Sequence, residues 1–366
     1  MIKKFLSELS REIEASKIKS LTLEHWVLEY GNKPKHPKSK VNRFKLRIRN
    51  LFYKFKPVYQ VYFLFQLLAK VGKIYGFYYC YSILDEKVGN KGLYLKVVSF
   101  RLLGHRFVKL PLDTEQFWKG LSELDRGKAR YNDKLYEYDL GQEGVVVGNS
   151  KSVFNQFVVK QYSINSDQLD FSARTGDYCF DVGACWGETS VFFGNRVGKK
   201  GRVYAFEFDG ANLSILNDVI ERNSLSEVVT VFPSPLLDNN GEPVYSEGEG
   251  SGSRVVLSES EKPNTILSRT LDQVVLENKI NKMDLLKLDV EGSECRVIKG
   301  AENSIKQFRP VVIAALYHRD VDFLQVAKLL KKLASSYVFV FDHYTTYHEE
   351  SFLFAIPSER IAIYLK

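Results

Sequence analysis

A chain of 366 residues, 45% hydrophobic and 26% charged, has the apolar material for a sizeable core and too little charge for a disordered coil. Ten prolines and 24 glycines exclude collagen-like or low-complexity architecture. Four cysteines (Cys80, Cys179, Cys185 and Cys295), with no CxxC pair, exclude a disulfide scaffold and a zinc ribbon, so a reducing cytoplasm is the simplest compartment.

The first segment, MIKKFLSELSREIEASK, reads as an amphipathic helix with Phe5, Leu6, Leu9 and Ile13 on one face. It has no continuous apolar core and no small-residue cleavage site, so no signal peptide is expected. The most apolar stretch, Val58 to Ala69, falls short of the roughly 20 residues that cross a bilayer, and no transmembrane helix is expected.

Charge divides the chain. Residues 1–150 carry a net +13 and the remainder a net −5. Between Tyr30 and Leu84 there is no Asp or Glu, while Lys, Arg and aromatic residues alternate densely. Such a run is either the solvated face of an aromatic helical core or a surface for an anionic partner, with peripheral contact to an anionic membrane ahead of nucleic acid. Residues 1–134 therefore read as a basic helical accessory region. Residues 135–366 read as a second domain, with a β-rich lead-in at 135–165 formed by LYEYDL, GVVVG and FNQFVVKQY.

From residue 177 the pattern alternates between apolar β runs and helices. Strands are predicted at 177–182, 203–208, 228–233, 283–290, 311–318, 337–343 and 352–357. Helices are predicted from Glu188, and at 212–223, 295–307 and 321–333, while Asp238–Lys262 reads as a polar loop. This is an α/β fold, a mostly parallel sheet with helices on both faces. Ligands of such sheets bind at the carboxyl ends of the strands.

The first strand ends in Asp181-Val182-Gly183-Ala184-Cys185-Trp186-Gly187-Glu188-Thr189. The G-x-x-x-G spacing, preceded by an acid, departs from the G-x-G-x-x-G of a pyrophosphate loop. A carboxylate there suits a cationic ligand, and S-adenosylmethionine is one. Glu207, at the end of the second strand, can accept hydrogen bonds from both ribose hydroxyls. Ser234, after the third strand, is a weaker candidate for the adenine end. Asp181, Gly183, Ala184, Gly187, Glu188, Thr189, Glu207, Ser234 and Asp289 make up the expected cofactor set.

At this point the sequence resembles the FkbM family of methyltransferases, over roughly residues 150–357. The blocks are GDYCFDVGACWGETS, GRVYAFEFDGANLSILNDVIERN, RTLDQVV, MDLLKLDVEGSECRVIKGA, RPVVIAALYHRDVDF and YHEESFLFA. The resemblance implies the class I, Rossmann-like methyltransferase fold with seven strands, the last antiparallel. It also implies O-methylation of a sugar, glycan or natural-product hydroxyl. Phe208-Asp209 after Glu207 departs from the proline frequent in that family.

An alcohol acceptor must lose a proton during attack, and a positioned base contributes about 10²–10⁴-fold. Three candidates are expected at strand ends: Asp289, His318 and His343. His318 comes first because imidazole titrates near neutrality. Asp289 would orient it or serve as the base itself. Glu291 and Glu294 are expected to bind acceptor hydroxyls. The spacing of Asp289, His318 and His343 requires no metal, and none is expected. The leading reading is thus an S-adenosylmethionine-dependent O-methyltransferase of a glycan acceptor, lipid- or nucleotide-linked. The alternatives are an RNA methyltransferase using the basic region, and a catalytically degenerate interaction protein.

Overall fold

In the computed structural model the described residues are 2–15, 71–103, 108, 110, 114–248, 250–257 and 265–366. Most of the basic, aromatic run and the whole of Val58–Ala69 lie outside them.

Seven strands form the central sheet: β1 Tyr178–Val182, β2 Arg202–Phe206, β3 Val229–Phe232, β4 Leu285–Leu288, β5 Val311–Ala315, β6 Tyr337–His343 and β7 Ser351–Pro357. Their order is β6-β7-β5-β4-β1-β2-β3. Neighbours are parallel except that β7 runs antiparallel to both β5 and β6. Strand order reverses where β1 lies between β2 and β4, which opens a crevice at their carboxyl ends. The sequence YCFDV, LLKL and VVIAA of β1, β4 and β5 is nearly continuous apolar material, as a sheet covered on both faces demands. Asp181 and Lys287 interrupt it, and the β1–β4 register sets them side by side.

Helices follow the strands closely to expectation, at Glu188–Val197, Gly210–Arg222 and Asp322–Leu333. The single helix expected at 295–307 is two, Glu294–Gly300 and Glu302–Phe308. Gly300 explains the break: a side chain there would meet the Leu237 carbonyl at 2.0 Å, so the turn is held by a backbone approach that periodicity does not reveal. The Asp238–Lys262 segment contains an antiparallel hairpin, Pro243–Glu247 against Arg254–Leu257.

The lead-in departs from the expected strands. Tyr136–Asp139 and Val145–Gly148 do pair. FNQFVVKQY, however, is helical: a turn at Ser150–Val153 continues into a π-helical turn, Phe154–Val159. The Asn149 side chain caps it, accepting from Lys151 N at 3.1 Å and Ser152 N at 3.0 Å. Val153 and Phe157, four residues apart, enter the sheet domain's core while Phe154 packs on Phe117, a helical spacing masked by the adjacent β-branched Val158 and Val159.

Helices Ile2–Ala15, Val71–Ile83, Lys91–Leu103 and Thr114–Asp125 make the described N-terminal region helical. They share a core with the sheet domain. Phe77 packs edge-on against Phe323 with centroids 5.1 Å apart, and Tyr94 against Phe341 at 4.9 Å. No described helix is long and apolar enough to cross a membrane.

Candidate active site

Two cavities open at the carboxyl ends of the sheet. The smaller lies over β2, β3 and the hairpin, lined by Phe206, Glu207, Phe208, Ser234, Pro235 and Leu236 among others. The larger, about 580 Å³, lies over β1, β4 and β5. Gly183, Cys185, Ser251, Asp289 and Glu291 line both, so the two meet at the ends of β1 and β4.

The β1 loop is built by left-handed residues: Gly183 at φ 84°, Cys185 at φ 48° and Gly187 at φ 96°. A side chain on Gly183 would meet the Asp289 carbonyl at 2.0 Å, so glycine is what lets the ends of β1 and β4 close on each other. Glu207 pins the loop from β2. Its Oε2 accepts from Cys185 N at 3.0 Å, and its Oε1 from Phe208 N at 2.7 Å and Asp209 N at 2.8 Å. Burial raises its carboxyl, and the backbone donors oppose that rise.

Asp181 takes a different place from the one expected. Its carboxylate is fully buried and lines neither cavity. Lys287 Nζ lies 3.0 Å from Oδ1, and Ser190 Oγ donates to Oδ2 at 2.7 Å. Lys287 also donates to the Gly183 carbonyl at 2.7 Å. Asp181 therefore holds a lysine that holds the loop, with its own charge spent inside the sheet. Ala184 and Gly187 likewise shape the turn without lining a cavity, whereas Gly183, Glu188, Thr189, Glu207, Ser234 and Asp289 do line one. Burial pushes the Glu188 carboxyl up to about 7, and Ser152 Oγ donates to it at 2.7 Å.

Asp289 accepts from Tyr162 OH at 2.9 Å and from Tyr317 OH at 2.9 Å. His318, beyond β5, sits in a nest of carboxylates. Its Nδ1 is 2.9 Å from Glu294 Oε1, and its Nε2 is 3.4 Å from Asp289 Oδ1 and 3.5 Å from Glu291 Oε1. Burial disfavours the imidazolium, but Glu291, Glu294 and Asp289 outweigh it and raise His318 well above its ordinary value. Glu294 is held below the usual range, since His318 and backbone donors overcome its burial. Glu294 Oε1 also accepts from Val290 N at 3.1 Å, and its side chain is fully buried outside both cavities. It positions His318, so the acceptor-binding role expected for Glu294 is corrected; Glu291 does line both cavities. Asp289, Glu294 and His318 each carry a ligand atom within 4.8 Å of the others, so a cation could also be accommodated there.

His343 does not join the group. β7 inserts between β5 and β6, which moves the end of β6 to the sheet edge. There His343 Nδ1 pairs with Ser351 Oγ at 2.8 Å, and burial pushes the ring down to about 3. Chain order alone would make β5 and β6 neighbours, and the later strand β7 separates them. Lys287, Tyr162, Tyr317 and Glu350 were missed. A lysine inside the apolar run LLKL was the available signal for the first, and the tyrosines carried none.

Residues 181–341 match the family model described as the methyltransferase FkbM domain. Over these residues the chain is similar to an FkbM methyltransferase domain. S-adenosylmethionine is the methyl donor of such a domain. The hexuronic acid methyltransferase AglP of Haloferax volcanii is 26% identical over 172 residues, which cover 44% of this chain and 64% of the relative. The crystal structure of an FkbM methyltransferase from Methylobacillus flagellatus superposes with a TM-score of 0.50 at 17% identity, covering 79% of this chain and 60% of that one. The chain thus spans less than two thirds of either relative. The superposition supports the fold, the seven-stranded sheet with β7 antiparallel that the FkbM resemblance implied.

The chemistry of the two cavities fits this donor. The smaller offers Phe206, Phe208, Pro235 and Leu236 as apolar walls for an adenine and Glu207 as a carboxylate for a ribose. The larger offers an excess of carboxylates, and Glu350 Oε2 is buried there with no hydrogen-bond partner. Burial and then the Asp289 charge raise that carboxyl well above the usual range, as expected of an acid awaiting a cation.

Proposed function

We propose that this protein is an O-methyltransferase that methylates a hydroxyl of a sugar or glycan intermediate, an acidic sugar being favoured. The observation that carries this reading is His318, which lines the larger cavity with its Nε2 between Asp289 and Glu291, two residues that line both cavities. Similarity to the hexuronic acid methyltransferase of Haloferax supports the sugar class. Asp289, Glu291 and Glu349 line the acceptor cavity, so an acidic acceptor needs a cationic group there, and Lys151 lines the same cavity.

S-adenosylmethionine supplies an electrophilic methyl group on a sulfonium. Glu207 and Ser234 would hold its nucleoside end, and Gly183, Cys185, Asp289 and Glu350 its methionine end. His318 Nε2 takes the acceptor's hydroxyl proton as oxygen attacks. Glu294 keeps the ring oriented through Nδ1, and the tyrosines fix Asp289, so little reorganisation accompanies the transfer. Arg101, from the N-terminal helices, donates to the Tyr317 carbonyl at 3.0 Å and the His348 carbonyl at 2.8 Å, which ties that region to the cavity wall.

Two outcomes test the assignment. Glu207→Gln keeps a backbone-accepting oxygen but loses the charge, and should weaken S-adenosylmethionine binding about tenfold, or about 1.4 kcal/mol, by calorimetry. Unchanged affinity would remove the ribose role. In addition, none of these residue roles runs through a metal ion, so methyl transfer should survive exhaustive chelation. Loss on chelation, restored by Mg²⁺ or Mn²⁺, would instead make Asp289, Glu294 and His318 a metal centre.

A further inference from the structure

The far wall of the larger cavity comes from outside the sheet. It is formed by the short helix Ser150–Val153, the π-helical turn Phe154–Val159 and the residues just after it. Asn155, Gln156 and Gln161 line the cavity from this wall. Their exposures are 2%, 3% and 6%, yet Asn155 Oδ1, Gln156 Nε2 and Gln161 Oε1 have no hydrogen-bond partner. A buried amide atom left unpaired costs about 1–3 kcal/mol, so three on one wall would be a heavy, concentrated burden for a fold with nothing to place there. π-helical turns are themselves rare and concentrate at functional sites, since the extra residue re-aims side chains. Lys151 lines the same wall, with its ammonium over the Trp118 and Tyr347 rings at 5.4 and 5.2 Å.

From these positions we infer that the wall is a sugar-binding subsite: the amides of Asn155, Gln156 and Gln161 take the hydroxyls of a pyranose, and Lys151 takes its carboxylate. An amide offers a donor and an acceptor side by side, which is the pairing that vicinal hydroxyls present. The wall belongs to the same cavity as Asp289, Glu291 and His318, so a ring seated on it has a hydroxyl to offer to the methyl-transfer end. The lysine sets the charge class. Lys287 and His318 line the cavity too, but both are engaged by carboxylates, whereas Lys151 lies against the Trp118 and Tyr347 rings on the amide wall, where the acid group of a hexuronic ring can reach it. This inference rests on the sugar-acceptor reading and extends it to named recognition residues.

The test uses the full chain saturated with S-adenosylhomocysteine and two probes, methyl β-glucuronide and methyl β-glucoside. Saturation-transfer NMR and calorimetry would follow their binding, and S-adenosylmethionine affinity would be measured separately. Asn155→Leu with Gln156→Leu should weaken both sugars at least tenfold and leave donor affinity within twofold. Lys151→Met should weaken the glucuronide selectively. Gln156→Glu, a near-isosteric change that guards against a folding failure, should penalise the glucuronide more than the glucoside. Sugar binding unchanged in all variants would overturn the subsite. A tenfold loss of donor affinity would overturn it too, and would give the amides to the methionine end. Wild-type protein that binds the donor but neither sugar would overturn the sugar-acceptor reading itself.

Discussion

Replacing His318 by Gln should lower kcat by about 10²–10⁴-fold while leaving S-adenosylmethionine affinity nearly unchanged. The ring is buried and lines the acceptor cavity, and its Nδ1 lies 2.9 Å from Glu294 Oε1. The sign of the pH dependence follows from the charge around it. Glu291, Glu294 and Asp289 raise His318 well above its ordinary value against the opposing effect of burial, and so favour the imidazolium. A base must be deprotonated. The kcat/KM of the wild type should therefore rise with pH through that elevated value, and the rising limb should disappear in His318→Gln. Stability runs the other way. A histidine whose pKa is raised on folding contributes stability that is fully present below its unfolded value and is lost as pH rises through the folded one. Thermal melts should accordingly show the wild type losing its advantage over His318→Gln as the solution becomes alkaline. A variant that keeps wild-type kcat would return the base role to Asp289.

Lys287→Met should destabilise the protein by about 3–5 kcal/mol, because it strands Asp181 as an unpaired charge inside the sheet. The pair is register partners on β1 and β4, with exposures near zero and a 3.0 Å separation. Burial opposes the lysine charge, but Asp181 and Asp289 outweigh it and raise Lys287 above its ordinary value. A loss of that size should lower the melting temperature by on the order of 10 °C. Removing both charges, as Asp181→Asn with Lys287→Met, should recover most of the loss, because apolar or neutral replacements of a buried pair are close to neutral in stability. Donor binding should nonetheless remain weakened in the double variant, since Lys287 also holds the Gly183 carbonyl at 2.7 Å. Equal stability of Lys287→Met and wild type would show that Asp181 is discharged another way.

The sequence by itself determined the elements and most of the local chemistry. Apolar runs at a strand period, alternating with amphipathic helices, were enough to locate all seven strands of the sheet to within a few residues. The turn at Gly183 and Gly187 was legible because its left-handed backbone depends on near neighbours in the chain. Tertiary structure alone decided three things. It put β7 between β5 and β6, which separated His343 from His318 although both end β runs. It paired Asp181 with Lys287, residues 106 positions apart in chain order that are brought together only by strand register. It turned FNQFVVKQY into a capped π-helical wall despite its β-branched residues. The common reason is that propensity and periodicity act over a few residues, whereas strand order, charge pairing and the choice between helix and strand for a short apolar segment are set by which surfaces must be buried against each other.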